Sequence, residues 1–177
     1  MRAVIVYESM YGNTHQVAEA IGAGLGAAFD VSVVPVAEVG PAALAGADLV
    51  VVGGPTHVHG MSRTATRKAA VQAADKPVSP LTVEPGALGP GLRDWFGSLG
   101  RYSTRAAAFD TRFDGLAAFT GQASKGVAHA LRAHGFDLIA APQSFLVTKQ
   151  EQLKPQETER ARDWGAGLAA SITAARS

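Results

Sequence analysis

Near its start, this 177-residue chain reads Ser9-Met10-Tyr11-Gly12-Asn13-Thr14, a polar turn between an apolar run and an amphipathic segment. The apolar run, residues 3–7, is nearly continuous, which is typical of a strand that is covered on both faces. From residue 13 to residue 29, apolar side chains recur at steps of three and four, as they do along one face of a helix. Gly12 allows the chain to turn with a positive φ angle. The sequence therefore predicts a strand, a tight turn and a helix.

The alternation of apolar runs and amphipathic segments continues to the end of the chain. Further strands are predicted at residues 31–36, 48–52, 105–109 and 138–147, the last interrupted by Pro142. Further helices are predicted at residues 41–45, 61–74, 92–99, 120–134 and 154–175, and residues 77–90 predict an irregular loop. This order predicts a doubly wound α/β fold, a three-layer sandwich with helices on both faces of a five-stranded parallel sheet.

Composition and charge limit the possible functions. The length suits one domain, and no repeat or boundary divides residues 1–177. A formal net charge of +1 does not suggest a nucleic-acid or membrane-surface partner. The absence of cysteine excludes disulfides, thiolate metal sites and a cysteine nucleophile. The apolar run at the start lacks the features of a secretory signal, so we expect a cytoplasmic protein without a membrane span.

The turn at residues 9–14 has the properties of an anion site. The start of a helix presents unpaired N–H groups and the positive end of the helix dipole, and this combination suits a phosphate. Ser9 and Thr14 add hydroxyl donors at the two ends of the turn. The alternative is that Asn13 or Thr14 only caps the helix. In parallel sheets of this kind, ligands bind beyond the carboxyl ends of the strands, where this turn is expected to lie.

The spacing Ser-x-x-Gly-Asn-Thr after the first strand resembles the phosphate loop of flavodoxins, usually Ser/Thr-x-Thr-Gly-Asn-Thr. Tyr11 stands where that pattern has threonine, so one hydroxyl is lost and Tyr11 is expected beside the flavin. The resemblance implies the flavodoxin-like strand order 2-1-3-4-5 and non-covalently bound flavin mononucleotide (FMN), with residues 9–14 at its phosphate. The Ser-Met-Tyr-Gly portion also resembles FMN-dependent quinone reductases of the tryptophan-repressor-binding-protein type.

A second segment follows the third predicted strand and reads Gly53-Gly54-Pro55-Thr56-His57-Val58-His59-Gly60. Its glycines and proline predict a break in regular structure. The segment is similar to the flavodoxin loop that contacts the isoalloxazine ring, which implies that residues 55–60 line the flavin. By the same resemblance, Gly60 supplies the peptide that responds to the flavin N5. No carboxylate or cysteine stands nearby to complete a metal site with His57 and His59.

The third segment ends the fourth predicted strand and reads Phe109-Asp110-Thr111-Arg112-Phe113. In flavodoxin-like proteins this region faces the other side of the ring, which implies that Phe109 or Phe113 stacks on it. Asp110 and Thr111 are then expected to bond to the pyrimidine edge. The alternative is that Phe109 closes the core and Phe113 packs under the next helix.

The resemblance implies redox chemistry carried by FMN, and three functions remain open. The first is an electron-transfer protein that works with a redox partner. The second is an enzyme that oxidises NAD(P)H and reduces quinones, although the long glycine-rich insertion of that family is missing after strand four. The third is a binding module that has lost flavin. No catalytic residue in the ordinary sense stands out.

The charged residues expected near the rim of the flavin predict the direction in which its reduction potential is shifted. The cationic or titratable residues there are His57, His59, Arg63, Arg67 and Arg112, against Asp110 and Asp114. A cationic rim stabilises the reduced, anionic flavin, so we expect a potential above that of a typical carrier flavodoxin.

Three glycines late in the first predicted helix, Gly22, Gly24 and Gly26, imitate a dinucleotide-binding fingerprint. They do not follow a strand, as that fingerprint requires. We therefore expect them to allow a close contact between helices. No Gly-Lys-Ser or Gly-Lys-Thr occurs, so a P-loop nucleotide triphosphatase is not supported.

Overall fold

A mostly parallel β-sheet between two layers of helices forms the framework of the computed structural model, which describes residues 1–77 and 79–175. The described strands are β1 (Arg2–Tyr7), β2 (Asp30–Pro35), β3 (Leu49–His57), β4 (Gly60–Met61), β5 (Arg105–Phe113), β6 (Asp137–Leu138) and β7 (Gln143–Val147). The described α-helices are α1 (Asn13–Leu25), α2 (Thr64–Ala74), α3 (Leu92–Ser98), α4 (Ala117–Thr120), α5 (Ala123–Ala133) and α6 (Glu157–Ala174). Two short 3₁₀ helices, Val36–Glu38 and Pro41–Leu44, connect β2 to β3.

The sheet is doubly wound. β1 pairs in parallel with β2 on one side and with β3 on the other, and β5 pairs in parallel with β3. β6 and β7 both pair with β5 at the outer edge. When β6 and β7 are counted as one interrupted strand, the order of the parallel strands is the predicted 2-1-3-4-5, and the predicted α/β fold is confirmed.

The sheet has seven strands rather than the predicted five, counted within the described ranges. One addition is β4, two residues that turn back antiparallel against the end of β3. The other comes from the division of the last predicted strand into β6 and β7 around residues 139–142. Pro142 lies in this gap. Proline has no N–H to donate to the sheet, which accounts for the interruption of the strand.

β1 is buried on both faces, as its apolar run predicts. Ala3 and Ile5 belong to the core that contacts α1 and α6, while Val4 and Val6 belong to the core that contacts α3 and α5. All four side chains are fully buried. This alternation follows from the two-residue period of a strand, and it brings the carboxyl end of β1 to the switch point of the sheet.

β3 and β5 extend further than the sequence predicts, and they carry candidate residues into the sheet. Residues 53–56, predicted to break the strand, remain in β3, and residues 110–113 remain in β5. The two strands stay paired from Gly53 opposite Phe109 onward. A Cβ atom on Gly53 would meet the Phe109 ring at 2.3 Å, so glycine allows close packing here rather than a break.

The first helix ends at Leu25 rather than at residue 29, and it packs closely on α6 through glycines. A Cβ atom on Gly24 would lie 2.0 Å from the carbonyl oxygen of Arg162. A Cβ atom on Gly165 would lie 2.3 Å from the carbonyl oxygen of Ile21. Gly24 therefore serves a close helix contact, as predicted.

The proline- and glycine-rich segment after α2 is irregular, as predicted, and it is hydrogen-bonded to residues in and after the turn that precedes α1. The backbone N–H of Glu84 donates to the carbonyl oxygen of Met10 at 2.9 Å. The carboxylate of Glu84 also lies in hydrogen-bond contact with the imidazole of His15 at 2.8 Å. These two contacts support the turn from the side of the segment.

Apart from α4, which the sequence did not predict, the remaining helices follow the prediction with small shifts at their ends. α5 begins at Ala123 rather than at residue 120. Gly135, which follows its end, has a φ angle of 89°, the conformation expected of a glycine after a helix. None of the helices within residues 1–77 and 79–175 has the length and apolar character of a membrane span.

Candidate functional site

A cleft of about 310 Å³ opens at the carboxyl edge of the sheet, where ligands bind in folds of this kind. Its walls come from the turn before α1, the ends of β3, β5 and β7, one face of α2 and the segment after β7. Twelve of the seventeen predicted site residues line it. The five that do not are Gly12, His59, Gly60, Phe109 and Asp110.

The turn before α1 presents an uncapped helix start to the cleft. Gly12 precedes the helix with a φ angle of 89°, and no side chain caps it. The N–H of Gly12 donates to the hydroxyl oxygen of Ser9 at 3.1 Å, which closes the turn. The first N–H groups of an α-helix have no partner within the helix, so those of α1 are available to an anion. The turn residues that line the cleft are Ser9, Met10, Tyr11, Asn13 and Thr14.

Asn13 and Thr14 do not cap α1, which removes the alternative interpretation of this turn. The amide of Asn13 donates to the carbonyl oxygen of Glu151 at 2.8 Å. The hydroxyl of Thr14 bonds to the hydroxyl of Thr111, on β5, at 2.7 Å. Two hydroxyls carry two hydrogens and their mutual bond uses one, so this buried pair retains one donor for a ligand.

Tyr11 forms the wall of the cleft on the side of α2. Its hydroxyl donates to the carbonyl oxygen of Ala70 at 2.7 Å. Burial raises the pKa of Tyr11, and the carboxylate of Glu151 raises it further, so the phenol stays neutral at pH 7. Tyr11 therefore offers an aromatic surface, rather than a free hydroxyl, to a ligand.

The end of β3 supplies the facing wall, with Pro55, Thr56, His57 and Val58. Burial lowers the pKa of His57, which keeps its imidazole neutral at pH 7. Val58 has a φ angle of 45° and exposes 82% of its surface. A β-branched residue is strained at this φ, and such strain is concentrated at functional sites.

His59 and Gly60 lie outside the cleft, contrary to the prediction. Gly60 pairs with His57 across the turn from β3 to β4, and His59 forms a bridge with Gly121. A Cβ atom on Gly121 would lie 2.1 Å from the Cα atom of His59, so the two backbones are in close contact. The backbone pairing of this turn therefore ends the cleft wall at Val58.

Phe109 and Asp110 lie beneath the cleft rather than in it, because β5 is buried on both faces here. Both residues are fully buried. The Phe109 ring packs against Gly53 and edge-on against Phe145, so Phe109 closes the core. The Oδ2 atom of Asp110 accepts a hydrogen bond from the N–H of Ser124 at 2.7 Å, at the start of α5. The structure thus does not support a stacking role for Phe109 or a ligand bond for Asp110.

The charge of Asp110 makes a testable contribution to stability. Burial raises its pKa, although bonds from Ser124 and Ser144 act in the opposite direction, and its Oδ1 atom has no partner among the described residues. Stability from an acid with a raised folded-state pKa is present below the unfolded pKa and lost as pH rises through the folded one. We expect Asp110→Asn to remove this loss. The difference between its urea midpoint and that of the unmodified chain should increase as pH rises above about 4. A constant difference would contradict this prediction.

The end of β5 contributes Thr111, Arg112 and Phe113 to the cleft, and Phe113 is 41% exposed. Arg112 donates to the carbonyl oxygen of Gly115 at 2.8 Å and to the hydroxyl of Thr120 at 3.0 Å. Its guanidinium is therefore held by the segment after β5. Phe113 remains available to a flat ligand, while the other aromatic candidate of this strand is in the core.

The cationic rim expected from the sequence is reduced by burial and pairing. Arg67 is only 3% exposed and pairs with Asp94 at 3.2 Å. On the acidic side, Asp110 is buried and Asp114 pairs with Lys154. Paired charges largely cancel at a distance. Of the charges expected at the rim, this leaves the cations Arg63 and Arg112, so the predicted rise in the flavin potential rests on these two residues.

A buried polar network lies behind the cleft and joins its walls. The carboxylate of Glu8 accepts hydrogen bonds from the hydroxyl of Ser62 and, at 2.8 Å, from the N–H of Leu92. Arg67 donates to the same hydroxyl of Ser62 at 3.1 Å. This network ties the end of β1 to the starts of α2 and α3.

Sequence reasoning missed the cleft residues of α2 and of the edge beyond β7. These residues are Thr66, Ala69, Ala70, Val147 and Glu151. Glu151 could have been found, because it follows a strand at the same edge of the sheet as the other ligand segments. The α2 residues carried no such signal, because sequence periodicity does not show which neighbour a helix face meets.

Comparison with known families finds a similarity to flavodoxins in the first half of the chain. The flavodoxin family model matches residues 5–89, which include the turn before α1 and the end of β3. The match covers 85 of the 177 residues, just under half of the chain, and this part of the chain is similar to flavodoxins. Flavodoxins bind flavin, typically FMN, and transfer electrons to redox partners. No curated protein matches the chain.

Solved structures share this flavodoxin fold over nearly the whole chain. A flavodoxin from the domain Archaea is 22% identical, with a TM-score of 0.66 over 98% of this chain and 99% of its own. Flavodoxin 1 from Bacillus cereus is 16% identical, with a TM-score of 0.64 over 96% and 98% of the two chains. Rubredoxin oxygen:oxidoreductase from Desulfovibrio gigas is 17% identical, with a TM-score of 0.60, and the match covers 98% of this chain but 36% of that one.

Proposed function

We propose that this chain binds FMN non-covalently in the cleft and passes electrons to a redox partner protein in the cytoplasm. The observation that carries the proposal is the uncapped start of α1, which faces the cleft beside the hydroxyl pair of Thr14 and Thr111. Backbone N–H groups and hydroxyls of this kind suit a phosphate monoester. Bound FMN would supply the redox chemistry of its isoalloxazine ring.

The donor set and the walls of the cleft fit the two ends of FMN. The turn at residues 9–14 offers hydrogen-bond donors to the phosphate. Tyr11, Val58 and Phe113 offer aromatic and apolar surface to the ring. The small side chains of Ala69 and Ala70 keep the α2 side of the cleft open. A polar end and apolar walls are what a flat, amphipathic cofactor requires.

The absorption spectrum of the protein with added FMN tests the proposal. We expect the purified chain to carry flavin or to acquire it from FMN in solution, with both visible flavin bands present after unbound FMN is removed. We expect riboflavin, which lacks the phosphate, to bind at least about tenfold more weakly because it loses the contacts with the turn. A protein that stays colourless in excess FMN would contradict the proposed function and favour a binding module that has lost flavin.

A second measurement separates an electron carrier from an NAD(P)H oxidoreductase. NADPH is added to the FMN-loaded protein without air, and the flavin absorbance is followed. We expect the yellow colour to persist with NADPH alone and to bleach when a flavin reductase is added. Rapid bleaching by NADPH alone would show the enzyme activity instead.

A further inference from the structure

Glu151 brings a carboxylate to the cleft in which the proposed function places a phosphate. It lines the cleft, and its carbonyl oxygen accepts the hydrogen bond of the Asn13 amide at 2.8 Å. Its φ angle of 56° is one that residues other than glycine seldom adopt. Glu151 is therefore held against the start of α1 in a specific backbone conformation.

The segment that carries Glu151 is closed by its own backbone bonds. The N–H of Glu151 donates to the carbonyl oxygen of Thr148 at 3.1 Å, and the N–H of Thr148 donates to that of Gln152 at 2.8 Å. The N–H of Lys154 then donates to the carbonyl oxygen of Leu146 at 3.0 Å. These bonds fix the backbone of Glu151 beside the start of α1, so its side chain extends from a fixed point of the cleft wall.

Few charges around the cleft offset a bound phosphate and Glu151 together. The other titratable or charged residues that line the cleft, within the described ranges, are Tyr11, His57 and Arg112. The adjoining segments and α6 contribute Lys149, the Asp114–Lys154 pair and the Glu157–Arg160 pair. Tyr11 and His57 are neutral at pH 7, and each ion pair has no net charge. Within the described ranges, the cations outside these pairs are therefore Arg112, which lines the cleft, and Lys149 in the adjoining segment. Their two positive charges are fewer than the three negative charges of a phosphate dianion and a carboxylate.

We propose that Glu151 couples phosphate binding in this cleft to the uptake of a proton. The inference rests on the proposed function. A phosphate dianion and a carboxylate in one cleft repel each other, and one added proton, shared by the pair, removes most of that repulsion. Burial already raises the pKa of Glu151, so its neutral form is more accessible than that of an ordinary surface glutamate.

The coupling makes the affinity for FMN depend on pH in a specific direction. Because a proton is bound together with the phosphate, the affinity should fall as pH rises, by up to about tenfold per pH unit near neutrality. Riboflavin has no phosphate and should not show this dependence.

Isothermal titration with FMN tests the coupling at about pH 7.5, in two buffers that differ in ionisation enthalpy. The difference in measured heat reports the number of protons taken up per FMN bound. The unmodified chain should take up close to one proton, and Glu151→Gln should take up almost none while binding FMN about tenfold more tightly. Glu159→Gln removes the same charge from an exposed site on α6 and should behave like the unmodified chain.

The possible outcomes separate this inference from the proposed function. FMN binding with equal proton uptake in the unmodified chain and Glu151→Gln would overturn the role of Glu151. Proton uptake with riboflavin equal to that with FMN would overturn it too. If neither the unmodified chain nor a variant binds FMN at any pH, the proposed function fails. Should Glu151→Gln unfold, Glu151→Asn is measured in its place, because asparagine tolerates the left-handed conformation at this position.

Discussion

Replacing Gly24 or Gly165 with alanine is expected to lower the free energy of unfolding by about 3 kcal/mol, near the upper range for overpacked interiors. The new methyl groups would lie 2.0 Å and 2.3 Å from carbonyl oxygens of the facing helix. Backbone atoms cannot rotate out of the way, so α1 and α6 must separate and loosen the core beneath them. Thermal or urea unfolding measures the loss, and the thermal midpoint should fall by roughly 6–12 °C for a chain of this size.

Gly167→Ala is the matched control on the same helix. No atom lies within 4 Å of a Cβ placed there. Alanine is the better helix former, so this variant should gain up to about 1 kcal/mol. A lower free energy of unfolding for Gly165→Ala and a higher one for Gly167→Ala would confirm that the contact between the helices, rather than the loss of a glycine as such, determines the change in stability. An alanine at Gly24 without loss of stability would contradict the close contact between α1 and α6.

Thr14→Val is expected to weaken FMN binding by about 2 kcal/mol, roughly 30-fold, because it removes a donor at the phosphate. Valine keeps the shape of the side chain, so the change acts on the hydroxyl rather than on packing. Thr111→Val should have a smaller effect, since Thr14 then keeps its hydrogen for the phosphate and loses only the group that orients it. Fluorescence quenching of added FMN measures both affinities.

Riboflavin binding controls for a general change in the cleft. Both threonine variants should bind riboflavin as the unmodified chain does, because the affected contacts belong to the phosphate. An equal loss for FMN and riboflavin would point to a distorted cleft, and unfolding measurements on each variant would show it. An unchanged FMN affinity in Thr14→Val would contradict the proposal that the phosphate binds at this turn.

α1 is held at both of its ends, and this links the two predictions. At its start, Asn13 bonds to the segment after β7 and His15 contacts Glu84. Near its end, Gly24 meets α6. A rigid helix with its N–H groups aimed at a cleft offers preorganised donors, which need little rearrangement when an anion binds.

Local patterns were sufficient for the alternation of strands and helices and for the first half of the site, while the strand order was implied by the resemblance to flavodoxins. The apolar run at residues 3–7 predicted a strand buried on two faces, and the turn at residues 9–14 predicted the start of a helix with N–H groups suited to an anion. Both signals are local, because burial imposes a period of two or 3.6 on the side chains and a tight turn requires glycine. The turn at residues 9–14 lies in the cleft for the same reason, since all parallel strands end at one edge.

Long-range pairing overrode local composition at β3 and β5. Gly53 and Gly54 indicate a break when only their neighbours in sequence are considered, yet their backbone is paired with β5 and Gly53 makes room for the ring of Phe109. The same pairing put Phe109 and Asp110 under helices on both faces and left Thr111 at the cleft. Arg67 was expected at the rim from its place in the sequence, and the network around Ser62 buried it instead.

The sequence alone determined the α/β framework and the turn that presents N–H groups at the start of α1. Each of these depends on residues close together in the chain, where periodicity and turn chemistry act directly. Only the tertiary structure decided which side chains line the cleft, which charges cancel and that Glu151 faces the same space as Thr14. Those properties arise when segments more than a hundred residues apart come into contact, and no local pattern records the distances between them.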